Sequence, residues 1–396
     1  MTKHTSRLMG GILLAALTLP VSTHAEILRC VDNQLVRTEA DYILACQFTK
    51  DNDPARGAIN NVSGAPTWVV PRENALAILG LLRADECLHD GRYDWSAWNA
   101  ARYLLRVQDI DGGWFDQYGY DQPVVRSKSP TQTAEVMIAL NRFSIRSTWY
   151  RRMVRGAEFL LRLQDPANKG GQDDGLIGGG LDANGQYQTW RWTSDNAFAY
   201  QAFRAAARWA RLVGDETRWR RYELAAAKIL RGINMVLKDP NSPVWYVAVD
   251  GQGHAVTNQH EWINYAPQML DVPALGVGNP EVGRWIAQVL VDPLTGAAVW
   301  DDGSERTRLS PGFSFQAGLV WQDLRERLYW WRAWRWALQS GLHQVTPDAN
   351  GIVGGWIDWR ETTGGEAQFW ERFIDTSFYA IAASTGGYDF SAEPRP

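Results

Sequence analysis

Acidic side chains stand at the start of several apolar segments, and their chemistry gives the first indication of function. The four candidates are Glu73, Asp195, Glu261 and Asp375. Two carboxyl groups that face one cavity can cleave a glycosidic bond, because one protonates the leaving oxygen while the other activates water or attacks directly. We predict Asp195 and Glu73 as the catalytic pair, with Glu261 and Asp375 behind them. The alternative for each residue is a capping role at a helix N-terminus.

Tryptophan is unusually abundant, with 21 residues in a chain of 396. Tryptophan can fill a buried core, or it can present a flat face on which a sugar ring stacks. Several of these residues lie in predicted loops, which favours the second interpretation. A cavity lined with tryptophan is apolar, and apolar surroundings raise the pKa of a nearby carboxyl group. The predicted substrate-binding residues are Trp68, Trp114, Trp190, Trp192, Trp262, Trp300 and Trp356, together with Arg72, His260 and Tyr265.

The elements that would position these side chains repeat along the chain at intervals of roughly 60 residues. Each unit has one helix with a charged side and a polar end, such as Gln108 or Gln164, followed by a Gly- and Asp-rich loop. A second helix is apolar on nearly every side, as a buried helix must be. These inner helices are predicted to start near Glu73, Thr131, Asp195, Glu261, Phe313 and Asp375. The pattern predicts an all-α protein of six hairpins closed into a ring.

The loops that lead from the outer helices to the inner helices are long, and in such a ring they emerge on one face. That face would also carry the N-terminal turns of all the inner helices. Binding residues concentrate on loops held by a rigid scaffold, so we expect the functional site there.

Residues 192–200, followed by Gly214-Asp215, resemble the inner-helix pattern of the six-hairpin (α/α)6-toroid glycosidases. This resemblance implies a polysaccharide or oligosaccharide substrate and catalysis by carboxyl groups. Residues 103–114, which end in Gly112-Gly113-Trp114, resemble the Gln-Trp repeat of the terpene cyclase and prenyltransferase toroids. The acidic motifs of terpene cyclases and a zinc-binding set are both missing from the sequence, so this second likeness concerns the fold.

Two other functions compete with hydrolysis. Residues 258–265 partly resemble the Asn-Asn-His-x-Tyr signature of alginate lyases, with Gln259 in place of the second Asn and Trp262 in place of Tyr. A lyase of this kind would cleave a uronic-acid polymer by β-elimination, with His260 at the reacting centre. A third possibility is a non-catalytic carbohydrate-binding protein of an exopolysaccharide system, in which the acids serve only as helix caps.

Residues 1–25 have the charged start, apolar run and small residues of a secretory signal peptide. We therefore expect a periplasmic or secreted protein whose residues 26–396 form one toroidal domain. The net charge of −4 indicates neither nucleic acid nor a membrane as a partner. No metal or cofactor is predicted, and we expect a monomer. Of the three cysteines, Cys30, Cys46 and Cys87, two could form a disulfide, and the sequence does not select the pair.

Overall fold

A computed structural model describes residues 31–61, 67–256, 280–299, 308–324, 326–348, 350–357, 360–361 and 372–385. Six helices with one exposed side form an outer layer over this part of the chain. They are α1 (Asn33–Ala45), α3 (Arg92–Val107), α5 (Ser147–Gln164), α7 (Glu216–Gly232), α8 (Pro280–Val289) and α10 (Arg327–Gln339). Five buried helices form the inner layer. They are α2 (Pro71–Leu88), α4 (Pro130–Leu140), α6 (Thr193–Leu212), α9 (Pro311–Asp323) and α11 (Ile374–Ser384).

The inner helices begin where the sequence predicts. Three of them start with proline, namely Pro71, Pro130 and Pro311. Proline suits the first helical position because its fixed φ is helical and its missing N–H would have no intrahelical partner there. The helix predicted to start near Glu261 lies outside the described residues, and the other five predicted starts are confirmed.

The two layers differ in burial as the sequence pattern predicts. Every residue of α4 is buried, whereas α5 buries one side and directs arginines such as Arg151 and Arg155 to solvent. Consecutive inner helices pack side by side in the order α9, α11, α2, α4, α6. The buried Arg83 on α2 donates from Nε to Thr385 Oγ1 at 2.9 Å, which fastens the end of α11 to α2.

The connections between layers are asymmetric. Outer helices lead to inner helices through long segments, including 46–70, 108–129, 165–192 and 340–373, whereas inner helices return through short ones such as 89–91 and 213–215. The long segments and the inner-helix N-termini therefore share one face, as predicted. No helix in the described ranges is both long enough and apolar enough to cross a membrane.

Short antiparallel strand pairs brace the long segments. A hairpin joins β1 (Gln117–Gly119) to β2 (Gln122–Val125), and β3 (Arg191–Trp192) pairs with β4 (Ala248–Val249). Further along, β5 (Arg308–Leu309) pairs with β7 (Arg360–Glu361), and β6 (Trp356–Ile357) pairs with β8 (Arg372–Phe373).

Three glutamine side chains tie an outer helix to the next one along the chain. Gln108 donates from Nε2 to Gly112 O at 2.8 Å and to Arg152 O of α5 at 3.0 Å. Gln164 makes the same pair of bonds to its own loop and to α7, and Gln47 does so to its loop and to α3. Gly112 has φ +94°, and a Cβ there would collide with Arg155 O, so glycine lets the loop touch the neighbouring helix. Three of the polar stops predicted from the sequence are thus joints between hairpins.

Candidate functional site

Polar residues in the first turns of the inner helices fall into two groups. In α2, α6 and α9 the fourth residue holds the backbone of the preceding loop. Asn74 Oδ1 accepts from Ile59 N at 2.8 Å, and Asn196 Oδ1 accepts from Ile177 N at 2.8 Å. Ser314 has the same role in α9. These side chains are therefore part of the scaffold.

The third residue of α6, Asp195, has a different environment. Its side chain is largely buried, and the residue is 9% exposed. Thr131 Oγ1, in the first turn of α4, donates a hydrogen bond to Asp195 Oδ1. Burial raises the pKa of Asp195 to about 6; Thr131 lowers it, the Asp116 carboxylate raises it further, and the Arg72 guanidinium lowers it. Asp195 therefore exchanges a proton close to neutral pH.

Arg72, at the start of α2, is close enough to Asp195 to lower its pKa, and Glu73 is the next residue of that helix. Arg72 Nε is 3.1 Å from Glu73 Oε1 and 3.9 Å from Glu135 Oε2. The Glu73 and Glu135 side chains are nearly buried, while 31% of the Arg72 side chain is exposed. We call Arg72, Glu73, Thr131, Glu135 and Asp195 the mouth cluster. Its residues come from the first two turns of three inner helices, α2, α4 and α6, and it combines carboxyl groups with one cation.

Asp116, whose charge raises the pKa of Asp195, lies in the loop before α4. Its Oδ1 accepts from Ser129 N at 2.8 Å, and its Oδ2 accepts from Ser127 Oγ. Gln132 links this loop to α2, because its Oε1 accepts from Arg72 N at 2.7 Å and its Nε2 donates to Asp116 O at 3.5 Å. Sequence reasoning did not select Asp116 as a site residue. Nothing in its local sequence says which helix its loop will approach.

Three of the predicted aromatic residues are accessible next to inner-helix starts. Trp190 and Trp192 precede α6 and are 41% and 38% exposed. Their rings stack with centroids 6.1 Å apart and an interplanar angle of 27°. Trp68 lies just before α2, is half-buried, and donates its backbone N–H to Asn60 Oδ1 at 2.7 Å. For these three residues, substrate binding stays a prediction that their exposure is consistent with.

Trp114 and Trp356 were predicted to bind sugar, and the structure corrects this. Both side chains are fully buried. Trp114 donates from Nε1 to Leu104 O at 2.8 Å, and Trp356 stacks on His343 with centroids 4.3 Å apart. Neither ring offers a face to solvent, so both belong to the core.

Several predicted site residues lie outside the described residues. They are His260, Glu261, Trp262, Tyr265 and Trp300. Asp375 belongs to the first turn of α11, but its side chain is outside the described part. Across the described ranges, no group of three or more His, Cys, Asp or Glu side chains is arranged to hold a metal ion.

The chain resembles known proteins in its structure and not detectably in its sequence. No protein-family profile and no curated protein matches the sequence. Solved structures do match. A cellobiose 2-epimerase from Spirochaeta thermophila is 14% identical, with a TM-score of 0.66 over 90% of this chain and 94% of that one. A D-mannose isomerase is 12% identical, with a TM-score of 0.65 over 89% of this chain and 97% of that one. An α-amylase from Clostridium perfringens is 11% identical, with a TM-score of 0.62 over 90% and 98%.

These likenesses span nearly the whole of each chain at low identity, so they establish the architecture. The chain has the (α/α)6-toroid fold predicted from its repeat.

Proposed function

We propose that this (α/α)6 toroid is a glycoside hydrolase that cleaves a polysaccharide or an oligosaccharide by carboxyl catalysis. The observation that carries the proposal is Asp195. It is a buried carboxyl group in the first turn of α6 whose pKa is raised to about 6, and the Asp116 carboxylate is close enough to contribute to that rise. A general acid works best when its pKa is close to the working pH.

Asp195 would protonate the oxygen of the leaving sugar. Thr131 and Arg72 both keep the pKa of Asp195 from rising further, so the group can give up its proton and regain it. Glu73 Oε1 lies 3.1 Å from Arg72 Nε, and Glu73 would act as the base or nucleophile. Two acids in different environments are the arrangement that glycoside hydrolysis requires.

A second candidate is epimerisation or isomerisation of a sugar. Several similar structures are named for these reactions, including a cellobiose 2-epimerase and a D-mannose isomerase. Such chemistry also needs groups that move protons, and the mouth cluster could supply them. It would change the sugar without releasing a new reducing end.

We also propose that the protein works in the periplasm or outside the cell. The signal-peptide pattern of residues 1–25 supports this, and so does Cys87, which is disulfide-bonded. Disulfides persist mainly in oxidising compartments. Detection of a chain that begins at Glu26 in the exported fraction would test the proposal.

The proposed reaction is tested by incubating the purified protein with neutral and uronic-acid glycans while following reducing ends and ultraviolet absorbance together. We expect new reducing ends without absorbance. Replacement of Asp195 by Asn should lower kcat by about 10²–10⁴-fold, because general acid catalysis contributes that much. Asp173→Asn is a matched control, because Asp173 is an exposed acid in the loop that leads to α6.

Each other outcome points elsewhere. Full activity of Asp195→Asn would remove Asp195 from the mechanism. Rising absorbance on a uronic-acid polymer would favour the lyase and His260. A product of unchanged mass, detected by chromatography, would favour epimerisation or isomerisation. No product from any glycan would favour a binding protein.

A further inference from the structure

The segment that enters α6 exposes two tryptophans on one side and buries a cation on the other. Successive side chains of an extended segment point to opposite faces, so Trp190 and Trp192 share a face and Arg191 has the other. The burial agrees, because both tryptophans are exposed and Arg191 is fully buried. We call the exposed pair the tryptophan shelf.

The shelf stands on a rigid base. Arg191 Nε lies 3.2 Å from Asp174 Oδ2, and its Nη2 donates to Asp250 O. The buried Lys169 Nζ lies 2.7 Å from Asp174 Oδ1. The backbone of Arg191 and Trp192 pairs with β4. Two buried cations therefore contact one carboxylate and hold the backbone of this strand in place.

Two glycines let the preceding loop pack closely against the segment that carries the shelf. A Cβ at Gly179 would lie 3.7 Å from Trp192 Cδ1 and 3.2 Å from Trp190 O. A Cβ at Gly178 would lie 2.7 Å from Gln188 O. The loop therefore supports the backbone of the shelf at close range, and larger residues at these positions would push it away.

The charge of the segment that carries the shelf indicates which sugars it would favour. The segment 186–192 reads Gln-Tyr-Gln-Thr-Trp-Arg-Trp, and its single charged residue, Arg191, is turned away and engaged by Asp174 and Asp250 O. An acidic sugar on the shelf would meet no cation of this segment. Aromatic faces and amide groups suit the apolar face and hydroxyl groups of a neutral ring.

We propose that Trp190 and Trp192 form a binding shelf for neutral sugar rings of a glycan chain, next to the mouth cluster. Trp192 is the N-cap residue of α6, and Asp195 is the third residue of that helix. A chain on the shelf therefore runs close to the proposed acid. The inference deepens the proposed function and rests on it, because it names the substrate as a neutral chain.

The test is affinity electrophoresis of the full chain in gels that contain xylan, β-glucan, galactomannan or alginate. Asp195→Asn is used as the background to prevent cleavage during the run. We expect at least one neutral polysaccharide to retard the protein, and Trp190→Ala or Trp192→Ala to weaken that binding about tenfold. Trp331→Ala is the control, since Trp331 is 45% exposed on outer helix α10 and stacks on Trp334 with centroids 5.2 Å apart.

Three results would overturn the shelf: no retardation by any neutral polysaccharide, retardation by alginate alone, or equal binding by the shelf variants and the Trp331→Ala control. The two proposals fail separately. Loss of retardation in the shelf variants without any cleavage by the unmodified protein would keep the shelf and reject the hydrolase. Cleavage of a glycan with unchanged binding in the shelf variants would do the reverse.

Discussion

Two buried carboxyl groups in this ring are in opposite situations. Glu39, on α1, accepts hydrogen bonds from Ser377 Oγ at 2.6 Å and Gly355 N at 3.2 Å, and it lies 2.7 Å from His343 Nε2. Asp195 is buried to a similar degree, but within the described residues it accepts one hydrogen bond, from Thr131. Burial of a charge is tolerated when hydrogen bonds replace its water, so the number of donors separates a structural acid from a reactive one.

Their places in the ring explain the difference. Elsewhere Gln47, Gln108 and Gln164 tie an outer helix to the next one along the chain. Where the last hairpin meets the first, Glu39 joins α1 to inner helix α11 and to the loop between α10 and α11. Glu39 therefore closes the ring, whereas Asp195 lies in the first turn of inner helix α6.

The largest expected difference in stability comes from Glu39→Gln. Its side chain has three partners in two segments, α11 and the loop between α10 and α11, and a buried hydrogen-bonded acid cannot lose its partners without a large penalty. We expect the free energy of unfolding to fall by about 3 kcal/mol, measured by urea denaturation. Glu216→Gln, on the exposed side of α7, should change it by less than about 0.5 kcal/mol. A Glu39→Gln variant as stable as the unmodified protein would refute the assignment of Glu39 as the ring closure.

Asp195→Asn should raise the free energy of unfolding, whereas Glu39→Gln should lower it. The folded state raises the pKa of Asp195 from 3.8 to about 6, so the folded protein binds the proton more tightly and loses stability as pH rises between these values. Asparagine removes that loss. We expect the variant to be more stable than the unmodified protein by about 2 kcal/mol at pH 7.5 and equal to it below pH 4. Urea denaturation at both pH values measures this, and destabilisation at pH 7.5 would mark Asp195 as structural.

The helix starts could be read from the sequence because polar residues interrupt an apolar pattern there. The split between scaffold and site within one turn could not. Glu73 and Asp195 are third residues of their helices and join the mouth cluster, whereas Asn74 and Asn196 are fourth residues and hold a loop. Successive residues on a helix point about 100° apart, so one step along the chain changes the neighbour completely.

The tryptophans show a similar limit. Trp114 and Trp356 both follow a pair of glycines, and these glycines let the loop turn inward against an outer helix. At Gly354, with φ +95°, a Cβ would lie 2.8 Å from Thr38 O of α1. Trp190 and Trp192 lack such a pair and alternate with a buried arginine. Location in a loop was insufficient to predict exposure, and the residues just before each tryptophan carried the missing signal.

The smallest expected effect is the most specific for the chemistry of Asp195. Thr131→Val removes the hydrogen bond that lowers the pKa of Asp195, so that pKa should rise by about half to one unit. If Asp195 acts as the acid, the alkaline limb of the pH profile of kcat/KM moves upward, because the proton is retained to higher pH. If it acts as the base, the acidic limb moves upward instead. An unmoved profile would mean that Asp195 does not set either limb. Asp195 would then no longer differ from Glu39 in having a catalytic role.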